Sequence, residues 1–252
     1  MTYVEGFVLA VPSANKEQYL KHAAGAAPLF REFGVERMVE AWGDDIARGK
    51  VTDFYGAVQA KEDETVVFSW FEYPDKAARD AANEKMMSDP RMKEMGASMP
   101  FDGQRMIIAG FDSFVDERGE GETGYVDGFI LPVPEDKRQA YRDMAAKASA
   151  KFKEYGAVRV VEAWGDDVPE GKVTDYYRAV KAEPGEKVVF SWIEWPDKAT
   201  RDAGWERMMK DPDMQPDKDN MPFDGMRMFW GGFAPILDTS ERAVEAAQPV
   251  TA

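Results

Sequence analysis

VEAWGDD runs from Val39 to Asp45 and returns letter for letter from Val161 to Asp167. That recurrence decides the architecture. Sliding the chain by 122 residues aligns Tyr3–Phe111 with Tyr125–Phe233 without a gap, and 60 of those 109 pairs are identical. Solenoid repeats are much shorter units, so a match this long and dense marks a whole folding unit copied in tandem. Residues 1–115 and 125–236 read as the two halves, and the Gly- and Glu-rich DERGEGETG at 116–124 reads as their linker. Residues 237–252 form a C-terminal tail without a counterpart, in which Thr239-Ser240-Glu241 suggests a cap for a short helix.

Within a copy the hydrophobic period changes in a legible order. YVEGFVLAV (Tyr3 to Val11) alternates and is rich in β-branched and aromatic residues, which predicts a strand ending at Pro12. Tyr19, Ala23, Ala26, Phe30 and Phe33 then recur at helical spacing up to Gly34, and the second copy keeps the stripe from Tyr141 to Tyr155. Three extended runs follow, Val35–Trp42, Val51–Ala60 and Val66–Tyr73. A second helix starts after a plausible N-cap at Asp75, and a last strand runs from Arg105 to about Phe114. The expected class is α+β: two ferredoxin-like βαβββαβ units with mainly antiparallel sheets. Each sheet has one face covered by its own helices and a second, bulky face that must be buried, so the sheets are expected to pair into a pseudo-dimeric α+β barrel.

YVEGFVLAVP, VEAWGDD, GKVTDF, VVFSWFEYPDKAARDAANEKMMSDPRM and MPFDGQRM together resemble the bacterial domain-of-unknown-function family 1428, of the dimeric α+β barrel superfamily. The likeness covers essentially all of each copy. It implies a ferredoxin-like fold whose single-copy members pair into a barrel, with tandem copies replacing the homodimer here, and it carries over no catalytic residues. Wider relatives of that superfamily include cofactor-independent monooxygenases, haem-degrading enzymes, dye-decolourising peroxidases and ligand-sensing regulators, a breadth that makes fold a weak guide to function.

Composition narrows the function classes. The net charge of −15 divides into −7 for residues 1–118 and −8 for the rest, so no basic half exists to displace counterions from phosphates, and no nucleic-acid partner is expected. Neither a signal peptide nor a membrane span is read at the N-terminus, and the cytoplasm is the expected location. The absence of cysteine removes thiol nucleophiles and Cys-ligated metals, and the lone His22, replaced by Met144, makes a poor basis for a transition-metal or haem site. No cofactor and no metal are expected. The partners expected are a small-molecule ligand and, beyond internal pairing, a monomer or weak homo-oligomer.

The candidate site residues come from the strands. Asp44-Asp45 and Asp166-Asp167 follow a glycine, where a turn is the plain reading and a cation site or a cavity rim the alternatives. Glu40 shares a strand face with Trp42, repeated as Glu162 and Trp164, and Asp53 alternates with Tyr55, repeated as Asp175 and Tyr177. A strand carboxylate turned into a barrel is desolvated and suited to acid–base work, so Glu40, Asp53, Glu162 and Asp175 are catalytic candidates; Trp42, Tyr55, Trp164 and Tyr177 are ligand-binding candidates. Structural ion pairs are the competing assignment for the carboxylates. Phe101 in MPFDG is read as an anchor or lid. Gly56→Arg178, Asn83→Trp205 and Ile108→Trp230 are the differences expected to leave the first pocket the more open. Three functions fit: binding of a small, aromatic or hydrophobic molecule between the sheets; a cofactor-independent monooxygenase or isomerase; and a non-catalytic protein-interaction scaffold.

Overall fold

The computed structural model describes residues 2–215 and 220–240, so the helix expected after Thr239 lies outside the described residues. In chain order the first copy forms β1 (Tyr3–Pro12), α1 (Lys16–Phe33), β2 (Arg37–Asp45), α2 (Phe54–Ala57), β3 (Glu64–Tyr73), α3 (Lys76–Ser88), α4 (Pro90–Ala97) and β4 (Ile107–Arg118). The second forms β5 (Tyr125–Pro134), α5 (Arg138–Glu154), β6 (Arg159–Asp167), α6 (Tyr176–Ala179), β7 (Glu186–Trp195), α7 (Lys198–Lys210) and β8 (Phe229–Asp238). The eight strands close into one barrel in the order β1-β3-β2-β8-β5-β7-β6-β4, with every pairing antiparallel. No helix among the described residues is long and apolar enough to cross a membrane.

One element differs from the sequence reading. Val51–Ala60 is no strand; each unit is βαββαβ with a single-turn helix between β2 and β3. Asp53 stops the extended run by capping that turn, its carboxylate accepting from the Gly56 amide at 2.6 Å and from the Gly49 amide at 2.9 Å. Asp175 does the same with Arg178 and Gly171. The strands also outrun the expected boundaries. Asp116–Arg118 of the presumed linker pairs with β6, and Asp238 of the presumed tail pairs with Val39.

Both faces of each strand are buried. From β1, Val4, Val8 and Ala10 enter the barrel while Tyr3, Phe7 and Leu9 meet the helices. At the barrel centre Phe68 and Phe190 stack with ring centroids 4.6 Å apart, and Trp70 lies 4.7 Å from Trp192. The facing glycines make that possible: a Cβ on Gly6 would lie 2.7 Å from the Phe190 ring, and one on Gly128 2.9 Å from Phe68. Phe54 from α2 and Tyr176 from α6 plug one end, edge-on to Phe233 and Phe111. The space between the sheets, where a ligand was expected, is therefore occupied by the protein's own side chains.

The acidic doublets lie at strand ends and clamp the two copies together, which corrects their reading as a turn. Asp44 accepts from Tyr125 and Lys198 of the other copy at 2.8 and 2.6 Å, and Asp45 accepts from Arg201 at 2.9 Å. Reciprocally, Asp166 accepts from Tyr3 at 3.0 Å and Asp167 from Arg79 at 2.6 Å. Gly110 and Gly232 leave the gap through which these tyrosines reach, since a Cβ at either would sit 2.4 Å from the phenol oxygen. A Gly6→Ala substitution is expected to overpack the centre and to cost about 1–3 kcal/mol, measured by urea unfolding.

Candidate functional site

β2 turns Val39 and Ala41 into the barrel and Met38, Glu40 and Trp42 the other way, toward α1. The strand-face pairing of Glu40 with Trp42 holds, but the face is the one under the helix. There the Tyr19 hydroxyl, from the buried stripe of α1, donates to Glu40 Oε2 at 2.5 Å. Ser69, the cross-strand neighbour of Glu40 on β3, supplies a second hydrogen bond. The second copy rebuilds the group with Tyr141 donating to Glu162 at 2.7 Å and Ser191 beside it.

Aromatic rings enclose each pair. Phe101 stands edge-on to Tyr19 at 5.7 Å, and Phe223 to Tyr141 at the same distance, so the MPFDG loops cover the helix–sheet layer rather than the barrel mouth. Trp42 lies 6.3 Å from Tyr19 and carries the Lys16 ammonium over its ring at 5.2 Å; Arg138 takes that place over Trp164 at 5.0 Å. The other copy's last strand completes each wall. Phe114 approaches Tyr141 and Trp164, whereas the residue at the same position in β8, Ile236, packs on the first-copy cluster. The first site is thus walled by the smaller side chain.

Burial pushes the carboxyls of Glu40 and Glu162 up to about 7, against the lowering pull of their tyrosine and serine hydrogen bonds. Burial, followed by the adjacent carboxylate, drives the Tyr19 and Tyr141 phenols well above their ordinary range. Each pair therefore holds a carboxyl balanced between acid and base near neutral pH, next to a hydroxyl that stays protonated.

The remaining candidates fall elsewhere. Asp53 and Asp175 are spent on helix caps, as described above. Tyr55 is half-buried beneath the Arg48 guanidinium, 3.9 Å from its ring centre, and Tyr177 packs on the barrel core from outside. Trp205 and Trp230 stack at 5.2 Å beside Phe129 on the outer face, so these replacements for Asn83 and Ile108 fill space under α7 and do not narrow either Tyr–Glu site. Composition and spacing marked Tyr19 and Tyr141 only as helix stripe, and passed over Ser69, Lys16 and Arg138. The available signal was that Lys16 and Tyr19 stand three residues apart, on one helix face.

Two further groups of buried acids carry no signal in spacing or periodicity. On the helix side of β1 and β5, Glu5 accepts from Asn83 at 3.0 Å, while Asp127 accepts from Trp195, Trp205 and Arg201 at 2.8–2.9 Å. At the open barrel end, Arg37 binds Glu194 at 2.9 Å and Arg159 binds Glu72 at 2.7 Å, each crossing between copies. Burial would raise Glu194, but Arg37 and Arg159 outweigh it and hold the carboxyl at about 2. Those charges are mutually matched around a cleft of about 980 Å³, which marks a structural network. Among the described residues no three His, Asp or Glu side chains converge as metal ligands.

The family described as "Protein of unknown function (DUF1428)" matches twice, over residues 2–103 and 124–225. The uncharacterised protein YbaA of Escherichia coli K12 is 65% identical over 117 residues, which is 46% of this chain and 100% of that protein, and YbaA of Shigella flexneri matches equally. Among solved structures, a "Putative monooxygenase" of Fusobacterium nucleatum superposes with a TM-score of 0.56 at 11% identity, over 95% of this chain and 94% of that one. A protein of the same description from Lactobacillus acidophilus gives 0.53 at 11% identity, over 95% and 96%. At that identity the likeness shows the α+β barrel fold alone.

A carboxyl at about 7 when folded and about 4.5 when unfolded makes stability fall as pH rises from 4.5 to 7, because the folded state holds the proton longer. The stabilisation is complete below 4.5 and lost above 7, a span worth about 3 kcal/mol for each carboxyl. Glu40→Gln is accordingly expected to gain stability over the parent at pH 8 and to flatten this slope, measured as Tm across pH 4.5–8.

Proposed function

The chain belongs to the DUF1428 family as two tandem copies, and on that premise we propose that it binds a small aromatic or hydrophobic molecule at its Tyr–Glu pairs, in the layer between sheet and first helix. The observation that carries this is the repetition of one chemical group in both copies. Tyr19, Glu40, Ser69, Trp42 and Phe101 recur as Tyr141, Glu162, Ser191, Trp164 and Phe223, and the cation over the tryptophan is kept while its identity changes from Lys16 to Arg138. Buried acids that serve only packing are readily replaced by apolar residues of like volume. A buried carboxyl raised to about 7, beside an aromatic floor and under an aromatic loop, suits a ligand with a flat apolar body and one acidic or hydrogen-bonding position. Entry requires Phe101 to leave the Tyr19 edge, and Ile236 makes the first copy the roomier of the two.

The same geometry supports an enzymatic version. Glu40, ionised, takes a proton from an acidic position of the substrate, and the Tyr19 hydroxyl donates to the charge left behind. Return of the proton elsewhere on the substrate is an isomerisation; capture of the carbanion by dioxygen and return of the proton give a hydroperoxide, which loses its second C–H proton and water to leave a carbonyl, the cofactor-independent monooxygenase course. A different reading, the non-catalytic scaffold, draws support from the filled barrel and from Met87 and Met209, which stand 90% and 66% exposed at matching positions of α3 and α7.

Titration with 2-naphthol, followed by ligand-observed NMR, tests the binding reading. Saturable binding is expected, and the Glu40→Gln/Glu162→Gln chain is expected to lose at least about tenfold in affinity, the loss that follows from removing a charge-assisted hydrogen bond. Trp42→Ala should weaken the first site alone. Absence of saturable binding by a panel of naphthols and phenols, with the folded chain intact, would favour the scaffold. Deuterium wash-in separates isomerase chemistry from oxygen consumption.

A further inference from the structure

At the plugged end of the barrel the two single-turn helices meet across the seam between copies, around a cavity of about 320 Å³. Its walls are not equivalent. The first copy contributes Thr52, Gly56 and Gln59; the second contributes Thr174, Arg178 and Lys181 at the corresponding places. Duplication has thus put two cations on one side of the seam and left a bare glycine and a neutral amide on the other.

We propose that this cavity is a binding site for a small anion bearing a carboxylate or phosphate group, one per chain. Four features converge on that chemistry. Lys181, exposed at the cavity wall, makes no ion pair or hydrogen bond through its side chain among the described residues. Arg178 uses Nη1 on the Gly171 carbonyl at 2.8 Å and faces Asp175 through Nε at 3.4 Å, so Nη2 remains to donate. Thr52 Oγ1 is buried without a hydrogen-bond partner, whereas its copy, Thr174 Oγ1, donates to the Ala57 carbonyl at 2.7 Å. Asp53, the acid lining the same space, has both oxygens engaged by the amides of Gly49 and Gly56.

A bidentate oxyanion is the group that answers these donors together. The planar guanidinium and the ammonium supply charge, and the hydroxyl adds a neutral donor. Gly56 is what leaves the room, because an arginine there would face Arg178 across the seam. A buried hydroxyl without a partner is a standing cost, relieved when a ligand oxygen arrives. The site lies apart from both Tyr–Glu pairs and does not depend on the function proposed for them.

Isothermal titration with inorganic phosphate and with malonate, at constant ionic strength set by chloride, tests the assignment. Saturable binding of at least one anion with one site per chain is expected. Arg178→Gly/Lys181→Gln, which installs the residues the first copy carries at those positions, is expected to weaken it at least about tenfold, as loss of charge-assisted bonds requires. Should the double variant fold poorly by circular dichroism, Lys181→Gln alone gives the same reading at smaller size. Tighter phosphate than malonate identifies a phosphoryl ligand, and the reverse a carboxylate. No saturable heat with either anion, or equal affinity in the variant, overturns the proposal.

Discussion

The stacking of Phe68 on Phe190 across the seam is the contact on which the rest depends. A four-stranded sheet carrying Phe68, Trp70 and Phe111 on its open face cannot leave that surface in water, since burial of rings this size is worth several kcal/mol each. Two such sheets must close on each other. Once closed, the rings fill the barrel, and Gly6 and Gly128 are the positions where backbone gives way to them. The Tyr–Glu pairs thereby lie outside the barrel, in the layers beneath α1 and α5.

Much of this was legible in the chain. Alternation in YVEGFVLAVP gave a strand, the Tyr19–Phe33 stripe gave a helix, and the gapless repeat gave two equivalent halves. Glu40 and Trp42 were rightly placed on one strand face, yet which face could not be read from periodicity, because both sides of β2 are buried and both carry apolar residues. The clue was size. Val39 and Ala41 are small because they share the barrel with Phe and Trp from neighbouring strands, whereas the larger Met38 and Trp42 meet a helix whose side chains interdigitate with them. The segment VTDFYGA misled because β-branched and aromatic residues suit strands, while a single aspartate able to cap a turn settled the matter locally. Lys16 and Arg138 escaped notice since a lone cation on a helix is ordinary until the ring beneath it is known.

The two copies show what divergence can and cannot touch. In the barrel the changes keep apolar or aromatic character, Val8 to Ile130, Phe54 to Tyr176 and Ile107 to Phe229, and the Tyr–Glu pairs are unchanged. Asn83, Ile108 and Gly56, at outer or axial positions, changed to large or charged residues without disturbing a strand. A homodimer must make every such change twice, on both sides of its axis. A tandem chain need not, and the lopsided walls at the plugged end are available only to it.

The clamps formed by Asp44, Asp45, Asp166 and Asp167 reach always into the other copy, so each half carries part of the other's fixings. In a single-copy relative built the same way, those fixings would have to come from a second molecule, and its folded population would decline on dilution by mass action. Here the partner is tethered through a short connection, at an effective concentration set by geometry and not by expression level. The assembled state is thereby uncoupled from abundance: a handful of molecules in a cell would be as completely paired as a concentrated solution.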